Sequence, residues 1–296
     1  MAGTAQSPAR GPHATRGPSM LRNGFARLTA DPEGRFGVAV LIVLVTAGLL
    51  APLIAPYDPI QVAAGPPLAG PSIAHLLGTD DLGRDVLSRL IHGARISLNV
   101  SLLSAAGALV VAVSLGLAAG YMGGVLDALI ARAFDTLAAF PDILLGVGLV
   151  AVLGTGVANV VIAVALVNVP TLGRVTRSAV LVERGEEYVV AARALGASDL
   201  RLIARHVLPN ILPPLLVQTT IILGSAVLLE AAFSFLGLGS RPPAPSWGTM
   251  LDEGRKFLYQ APWLGLAPGF AITTTILAFN ALGDAARAAS NPQRAS

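Results

Sequence analysis

The chain has 296 residues, of which 54% are hydrophobic and 12% charged, with a formal net charge of +3 and a mean hydropathy of +0.70. Soluble domains carry roughly 25% charged residues, so an ordinary water-facing globule is excluded and a multi-span membrane protein is implied. There is no cysteine, which removes disulfides, thiolate metal sites and cysteine nucleophiles, and the scattered charges form no basic patch for nucleic acid.

Residues 1–35 are rich in Gly, Pro and Arg and read as a disordered cytoplasmic tail. A basic start before an apolar run also resembles a signal peptide, but the run Gly37–Ile54 is long for a signal core. A spanning helix needs about 20 apolar residues. The first such stretch is Phe36–Ala55, closed by PYDP. The segment Thr79–Arg95 follows, carrying Asp80, Asp81, Arg84, Asp85, Arg89 and Arg95. Its spacing predicts a helix capped at Gly78-Thr79 with an Asp85–Arg89 pair at i, i+4. It reads either as a solvated amphipathic helix on the outer face or as a support for an outer loop.

The second span is Ser97–Gly120, which has no charge, and Gly107, Gly116 and Gly120 in it suit close helix contact. The third and fourth are read as Phe134–Leu153 and Val157–Ala179, separated by GTG, with kinks expected at Pro141 and Pro170. The fifth is Ile211–Gly237, interrupted by Glu230, and the sixth is Ala261–Gly283. Trp247 and Trp263 read as interfacial anchors. The six-span domain covers residues 36–287, and residues 288–296 form a C-terminal tail. Six spans place both termini on one side. Most of the 20 Lys and Arg residues fall on that side, which makes it cytoplasmic.

Between the fourth and fifth spans lies EEYVVAARALGASDLRLIARHVLPN, residues 186–210. It reads as a cytoplasmic loop of two short amphipathic helices. Tyr188, Ala191, Ala192 and Leu195 share one face of the first; Leu200, Ile203, Ala204, Val207 and Leu208 share one face of the second. Gly196 suits the left-handed position that ends a helix, Ser198 or Asp199 the cap of the next, and Pro209 a change of direction into the fifth span. Arg201 and Arg205 share a polar face. Periodicity leaves two readings open: a hairpin lying on lipid headgroups, or a docking element for a soluble partner.

Two polar residues lie inside apolar runs. Glu230 must face protein or a water-filled cavity; it reads either as a contact on a substrate path or gate, or as a hydrogen-bonded residue that fixes helix packing. Asn168 reads either as a pathway residue or as an interhelical hydrogen bond, as do Thr171, Thr273, Thr274, Thr275 and Asn280. No P-loop and no His-Glu-x-x-His occur, and the four histidines are scattered. No catalytic and no metal-binding residues are expected.

The pattern AARALGAS followed by HVLPN resembles the signature loop of bacterial ABC-importer permeases: Glu-Ala-Ala, three residues, Gly, and a later Leu-Pro. Ala191, Ala192, Gly196, Leu208 and Pro209 match, while Val190 stands where the family has Glu. Three further stretches resemble the second, C-type permease of the dipeptide, oligopeptide and nickel importers. They are HLLGTDDLGRDVLSRLIHGARISL, GYMGGVLDALIARAFDTLAAFPDILL and EAAFSFLGLGSRPPAPSWGTML. Near the end Gly283-Asp284 is kept, but the acidic residues that usually follow are absent.

The resemblance implies an all-α integral membrane protein with six transmembrane helices, in the bacterial cytoplasmic (inner) membrane. It implies a non-enzymatic permease subunit of an ATP-driven importer, moving di- or oligopeptides, nickel or another small solute by alternating access. The implied partners are a second homologous permease, two cytoplasmic ATPase subunits that hold the ATP and Mg, an external substrate-binding protein, and membrane lipid. This chain itself is expected to carry no cofactor. ATPase coupling is implied for Ala191, Ala192, Arg193, Gly196, Ala197, Ser198, Arg201, Leu208 and Pro209. A rival from another class is a secondary transporter or channel working without an ATPase. It needs its own ion-coupling groups near mid-bilayer, and Glu230 is the one acid within the apolar runs.

Overall fold

A computed structural model describes residues 31–290, so the expected tail at residues 1–35 lies almost wholly outside the described residues, as do residues 291–296. Among the described residues the chain is helical, with one isolated antiparallel bridge between Thr79 and Asp85. Helix α1 is Pro32–Leu49, capped by Asp31 and followed by the short α2, Ala51–Ile54. Helix α3 runs Val86–Met122, α4 Gly124–Ala138, α5 Asp142–Leu153 and α6 Val157–Glu183. Next come α7, Glu187–Ala194, and α8, Asp199–Leu202. A π-turn at Ile203–Val207 leads into α9, Leu208–Phe235; α10 is Trp247–Arg255 and α11 Trp263–Ser290.

Five helical segments are long and apolar enough to cross a membrane, or six if one bent pair counts as a single span. The pair is α4 and α5, whose axes meet at 98°. Here the expectation of a single kinked span, Phe134–Leu153, is corrected. Pro141 lacks an N–H and restricts the residue before it, and it separates two helices rather than bending one. At 12 residues α5 is about 18 Å long, too short to cross hydrocarbon alone. Pro170, by contrast, lies inside the continuous α6.

In lipid the hydrophobic effect does not pull apolar helices together, so close packing must do so. Along α3 a stripe of small residues, Ala105, Ala108, Ala112, Gly116 and Ala119, is buried against α6. A Cβ on Gly116 would stand 2.6 Å from Thr176 Cβ, and one on Gly120 would stand 2.8 Å from Val180 Cβ. Both are closer than real carbon contacts permit, so the α3–α6 seam requires glycine at these two positions. Ile211, Leu215 and Ile222 of α9 close this core from a third side.

The segment before α3 is not a solvated helix. Helix α3 starts at Val86, with Asp85 as its cap: Asp85 Oδ2 accepts from Ser88 N at 2.8 Å and from Ser88 Oγ at 2.7 Å. Asp85 Oδ1 meets His75 Nδ1 at 2.9 Å. The expected Asp85–Arg89 pair is therefore not formed. Instead Arg84 Nε donates to Asp80 Oδ2 at 2.6 Å, while Arg84 Nη2 and Arg89 Nη2 donate to Glu253 Oε2 at 3.1 and 2.7 Å. Arg84, Arg89, Asp80 and Asp85 are all buried. The cluster ties the long segment after α2 to both α3 and α10. Trp247 is also not a surface anchor: it is buried, and its Nε1 donates to Leu90 O at 3.1 Å.

Removing one member of this cluster leaves a buried charge without its partner, which costs about 3–5 kcal/mol. Glu253→Ala is therefore expected to free residues 57–82 while leaving the spans intact. Hydrogen exchange in detergent checks it: amides of Ala63, Gly65 and Leu68, which bond to Leu82, Gly83 and Asp80 carbonyls, should lose protection, and those of α6 should not.

Candidate functional site

The exposed hairpin between α6 and α9 gathers the residues expected to act together. Helix α7 ends in a left-handed turn. Gly196 has φ +84°, Ala197 N donates to Ala192 O at 3.1 Å, and Gly196 N donates to Arg193 O at 2.9 Å. This pair of bonds is the Schellman arrangement, in which the orphan carbonyls of a helix end are satisfied. Nothing lies within 4 Å of the place a Cβ on Gly196 would occupy. The glycine is needed for its backbone angle and not for space. Ser198 occupies the cap position of α8, but its side chain makes no capping bond.

The second expected helix is not separate from the fifth span. Residues Asp199–Phe235 form one rod, with the π-turn at Ile203–Val207 inside it; Leu208 N reaches back to Ile203 O. Pro209 lies inside this rod, two residues past the end of the π-turn. It does not redirect the chain, which corrects the reading of a change of direction there.

The apolar faces read from the sequence divide in two. Val207 is buried, and so are Val189 and Leu202, which the periodicity did not single out. Leu195 and Leu200 are 89% and 77% exposed, and Val190, Ala191, Arg193 and Arg201 are exposed with them. Ala192, Ala197 and Leu208 are half-buried. The inner side of the hairpin therefore packs on the bundle, and its outer side presents two leucines flanked by Arg193 and Arg201.

What holds the hairpin was not visible in the sequence. Tyr121, at the end of α3, donates its hydroxyl to Asp199 Oδ1 at 2.7 Å and accepts from Arg193 Nη2 at 3.2 Å. The Arg193 guanidinium lies 5.6 Å from the centre of the Tyr121 ring. Arg184 Nη1 donates to Gly120 O at 2.8 Å and to Tyr121 O at 3.0 Å, satisfying two terminal carbonyls of α3. Asn210 Nδ2 donates to the Tyr188 hydroxyl at 2.7 Å. Both arms of the hairpin are thus fastened, α7 through Arg193 and Tyr188, α8 through Asp199. The only sequence signal was an aromatic residue at the end of a span, which reads equally as an interfacial anchor.

Glu230 and Asn168 lie apart from the hairpin and inside the chain. Glu230 is 1% exposed. Its Oε1 accepts from Ser234 Oγ at 2.8 Å. The hydroxyls of Ser97 and Ser246 lie beside the carboxylate, yet Oε2 has no partner of hydrogen-bond geometry. It stands where α9, α3 and the start of α10 meet. Asn168 Nδ2 donates to Val164 O at 2.8 Å and its Oδ1 accepts from Ser225 Oγ at 3.1 Å, joining α6 to α9. Among the described residues no group of three or more His, Cys, Asp or Glu is placed to hold a metal.

The family described as binding-protein-dependent transport system inner membrane component matches residues 112–295. The chain is 43% identical to the dipeptide transport system permease protein DppC of Alkalihalophilus pseudofirmus, covering 93% of this chain and 90% of that protein. It is 43% identical to the di/tripeptide transport system permease protein DppC of Pseudomonas aeruginosa, covering 93% of each. It is 41% identical to the glutathione transport system permease protein GsiD of Pectobacterium atrosepticum, covering 86% of this chain and 84% of that protein. Among solved structures, the inward-facing MetNI methionine ABC transporter shares the fold at a TM-score of 0.55 and 20% identity, covering 69% of this chain and 98% of that one.

A side chain at Gly196 forces a left-handed L-residue, at a cost of about 1–2 kcal/mol. Gly196→Ala is expected to raise the exchange rate of the Ala197 amide roughly fivefold or more, while Gly196→Asn, which tolerates this region better, should raise it less. Equal rates in all three proteins would mean the turn does not depend on glycine.

Proposed function

Because this chain belongs to the family of binding-protein-dependent transport system inner membrane components, we propose that it imports di- and oligopeptides as one of two permease subunits driven by separate ATPases. The single observation that carries the peptide assignment is the 43% identity to dipeptide and di/tripeptide permeases over 93% of the chain.

The positive-inside rule puts the hairpin and both termini in the cytoplasm. There the outward-facing Leu195 and Leu200 suit a cleft on an ATPase subunit. Large exposed apolar side chains flanked by cations mark a protein-docking surface better than a solvated one. A second permease completes the pathway, two ATPases bind beneath, and an external binding protein delivers cargo. Val190, where the family has Glu, leaves the charge on this face to Glu186 and Glu187 one turn earlier.

In this mechanism ATP acts through the ATPases' contacts with the hairpin. A ligand shifts a conformational equilibrium only by its differential affinity for the two states. Closure of the ATPases draws two docked hairpins together, one on each permease. The hairpin here is continuous with α9 through the π-turn and pinned to α3 through Tyr121, so its displacement moves two spans at once. Residues of this chain position and transmit; hydrolysis belongs to the partner subunits.

Burying one leucine side chain contributes about 1.5–3 kcal/mol. The double variant Leu195→Asp, Leu200→Asp is therefore expected to lose the co-purified ATPase subunits and ATP-dependent dipeptide uptake, while the second permease still co-purifies. Retention of the ATPase by this variant would refute docking through this face. Uptake of glutathione but not dipeptides by the unaltered importer would reassign the cargo.

A further inference from the structure

The two polar residues that stood out in the sequence, Glu230 and Asn168, are buried inside the chain. Among the polar groups that remain exposed on the long helices, which include Thr46, Ser114, Thr273 and Asn280, charged ones gather around the break between α4 and α5. Arg132, Asp135 and Thr136 share one face of α4 at helical spacing, and all are exposed. The other face of α4, Ile130 and Phe134, is buried on α6, with the Phe134 ring filling the space beside Gly173. On α6, Thr171, Arg174 and Ser178 are exposed at the same kind of spacing. The two stripes adjoin: Arg174 Nη1 stands 3.7 Å from Asp135 Oδ1.

This surface differs in kind from the one on α3, where Leu102, Leu103 and Val110 are exposed and apolar as a lipid-facing wall requires. Arg132, Asp135 and Arg174 facing acyl chains would each cost several kcal/mol. The backbone points the same way. Ala139, Phe140, Pro141 and Asp142 are exposed at the break. Pro141 supplies no side-chain cap to α5. The first backbone bond of α5 is Leu145 N to Pro141 O at 2.9 Å, so its first-turn N–H groups face outward as at any uncapped helix start. Within a span, such backbone persists only against protein or where it lines a water-filled cavity, and residues 139–142 are exposed on this chain.

We propose that the polar stripes of α4 and α6, together with the exposed α4–α5 break, form this chain's share of the aqueous pathway wall, and that Asp142 receives the ammonium group of a zwitterionic peptide there. Asp135 and Arg174 neutralise each other. Asp142 and Arg132 make no ion pair among the described residues. They leave one negative and one positive charge on this exposed surface. This assignment rests on the importer reading above.

The absence of cysteine makes the test direct. Single variants Asp142→Cys and Thr171→Cys are placed on the proposed wall, and Leu103→Cys and Val110→Cys on the apolar face of α3. Each is assembled with its partner subunits in liposomes and exposed to a charged, membrane-impermeant methanethiosulfonate reagent, without nucleotide and again after vanadate trapping. A water-exposed thiol ionises and reacts, whereas one in hydrocarbon does not. The two wall cysteines are expected to react at least about tenfold faster than the two α3 cysteines in one of the two states, and an excess of dipeptide with its binding protein should slow the reaction at residue 171, where Asp142 is intact. Wall cysteines that react no faster than the α3 pair in both states would overturn the proposal, meaning that lipid or another subunit covers the face. Asp142→Asn, which keeps the shape and loses the charge, is expected to lower ATP-dependent dipeptide uptake about tenfold with the ATPase subunits still co-purifying; unchanged uptake would overturn the ammonium contact. Failure of the importer reading would show separately, as absence of ATP-dependent dipeptide uptake by the cysteine-free chain.

Discussion

The α3–α6 seam is the constraint from which the rest of the bundle follows. Two helices in lipid gain nothing from excluding water, so they must touch closely enough for dispersion and local hydrogen bonds to hold them. Gly116 and Gly120 bring α3 against Thr176, Arg177 and Val180 of α6 at backbone distance. That contact fixes where α3 ends, hence where Tyr121 and the carbonyl oxygens of Gly120 and Tyr121 stand. It also fixes where α6 ends, hence where Arg184 can reach those carbonyls. The hairpin is hung on two neighbouring helix ends whose spacing has already been set one or two turns away.

The end of the bundle away from the hairpin is organised by a different kind of contact. Asp80, Arg84 and Arg89 are buried and, with the partly exposed Glu253, form a cluster of two acids and two cations drawn from a loop, from α3 and from α10. Buried ion pairs add little net stability over apolar packing, but they tolerate few alternative arrangements. Next to the cluster, Trp247 packs on Ala94, Val227 and Ala231, and its backbone N–H reaches Ser97 Oγ. A short helix that would otherwise have only nine residues to hold it is thereby locked to two spans.

Much of this architecture was legible in the sequence because lipid imposes simple rules. Uncharged runs of sufficient length marked the spans, and Gly116 and Gly120 marked a close contact, whereas a Cβ on Gly107 would stand 3.4 Å from Ala165 Cβ. Gly196 marked the end of a helix by the one backbone angle it allows. Contacts between residues distant in sequence were not legible. The spacing of Asp85 and Arg89 suggested a local pair, but Arg89 is claimed by Glu253, 164 residues away. Trp247 looked like an anchor because nothing in its neighbourhood announces the pocket that encloses it. The break at Pro141 was expected as a kink; the exposure of residues 139–142 around it belongs to tertiary placement. The same limit hid Tyr121, whose partners Asp199 and Arg193 lie on the far side of two helices.

The π-turn at Ile203–Val207 has a geometric effect on everything to its left in the sequence. One extra residue in a helix advances the azimuth by about 100° without breaking the rod. The exposed leucines of the hairpin and the buried stripe of α9 are therefore indexed independently. Excising a single residue between 203 and 207 would swing Leu200 around the axis like the bit of a key, leaving every contact of α9 below it in register.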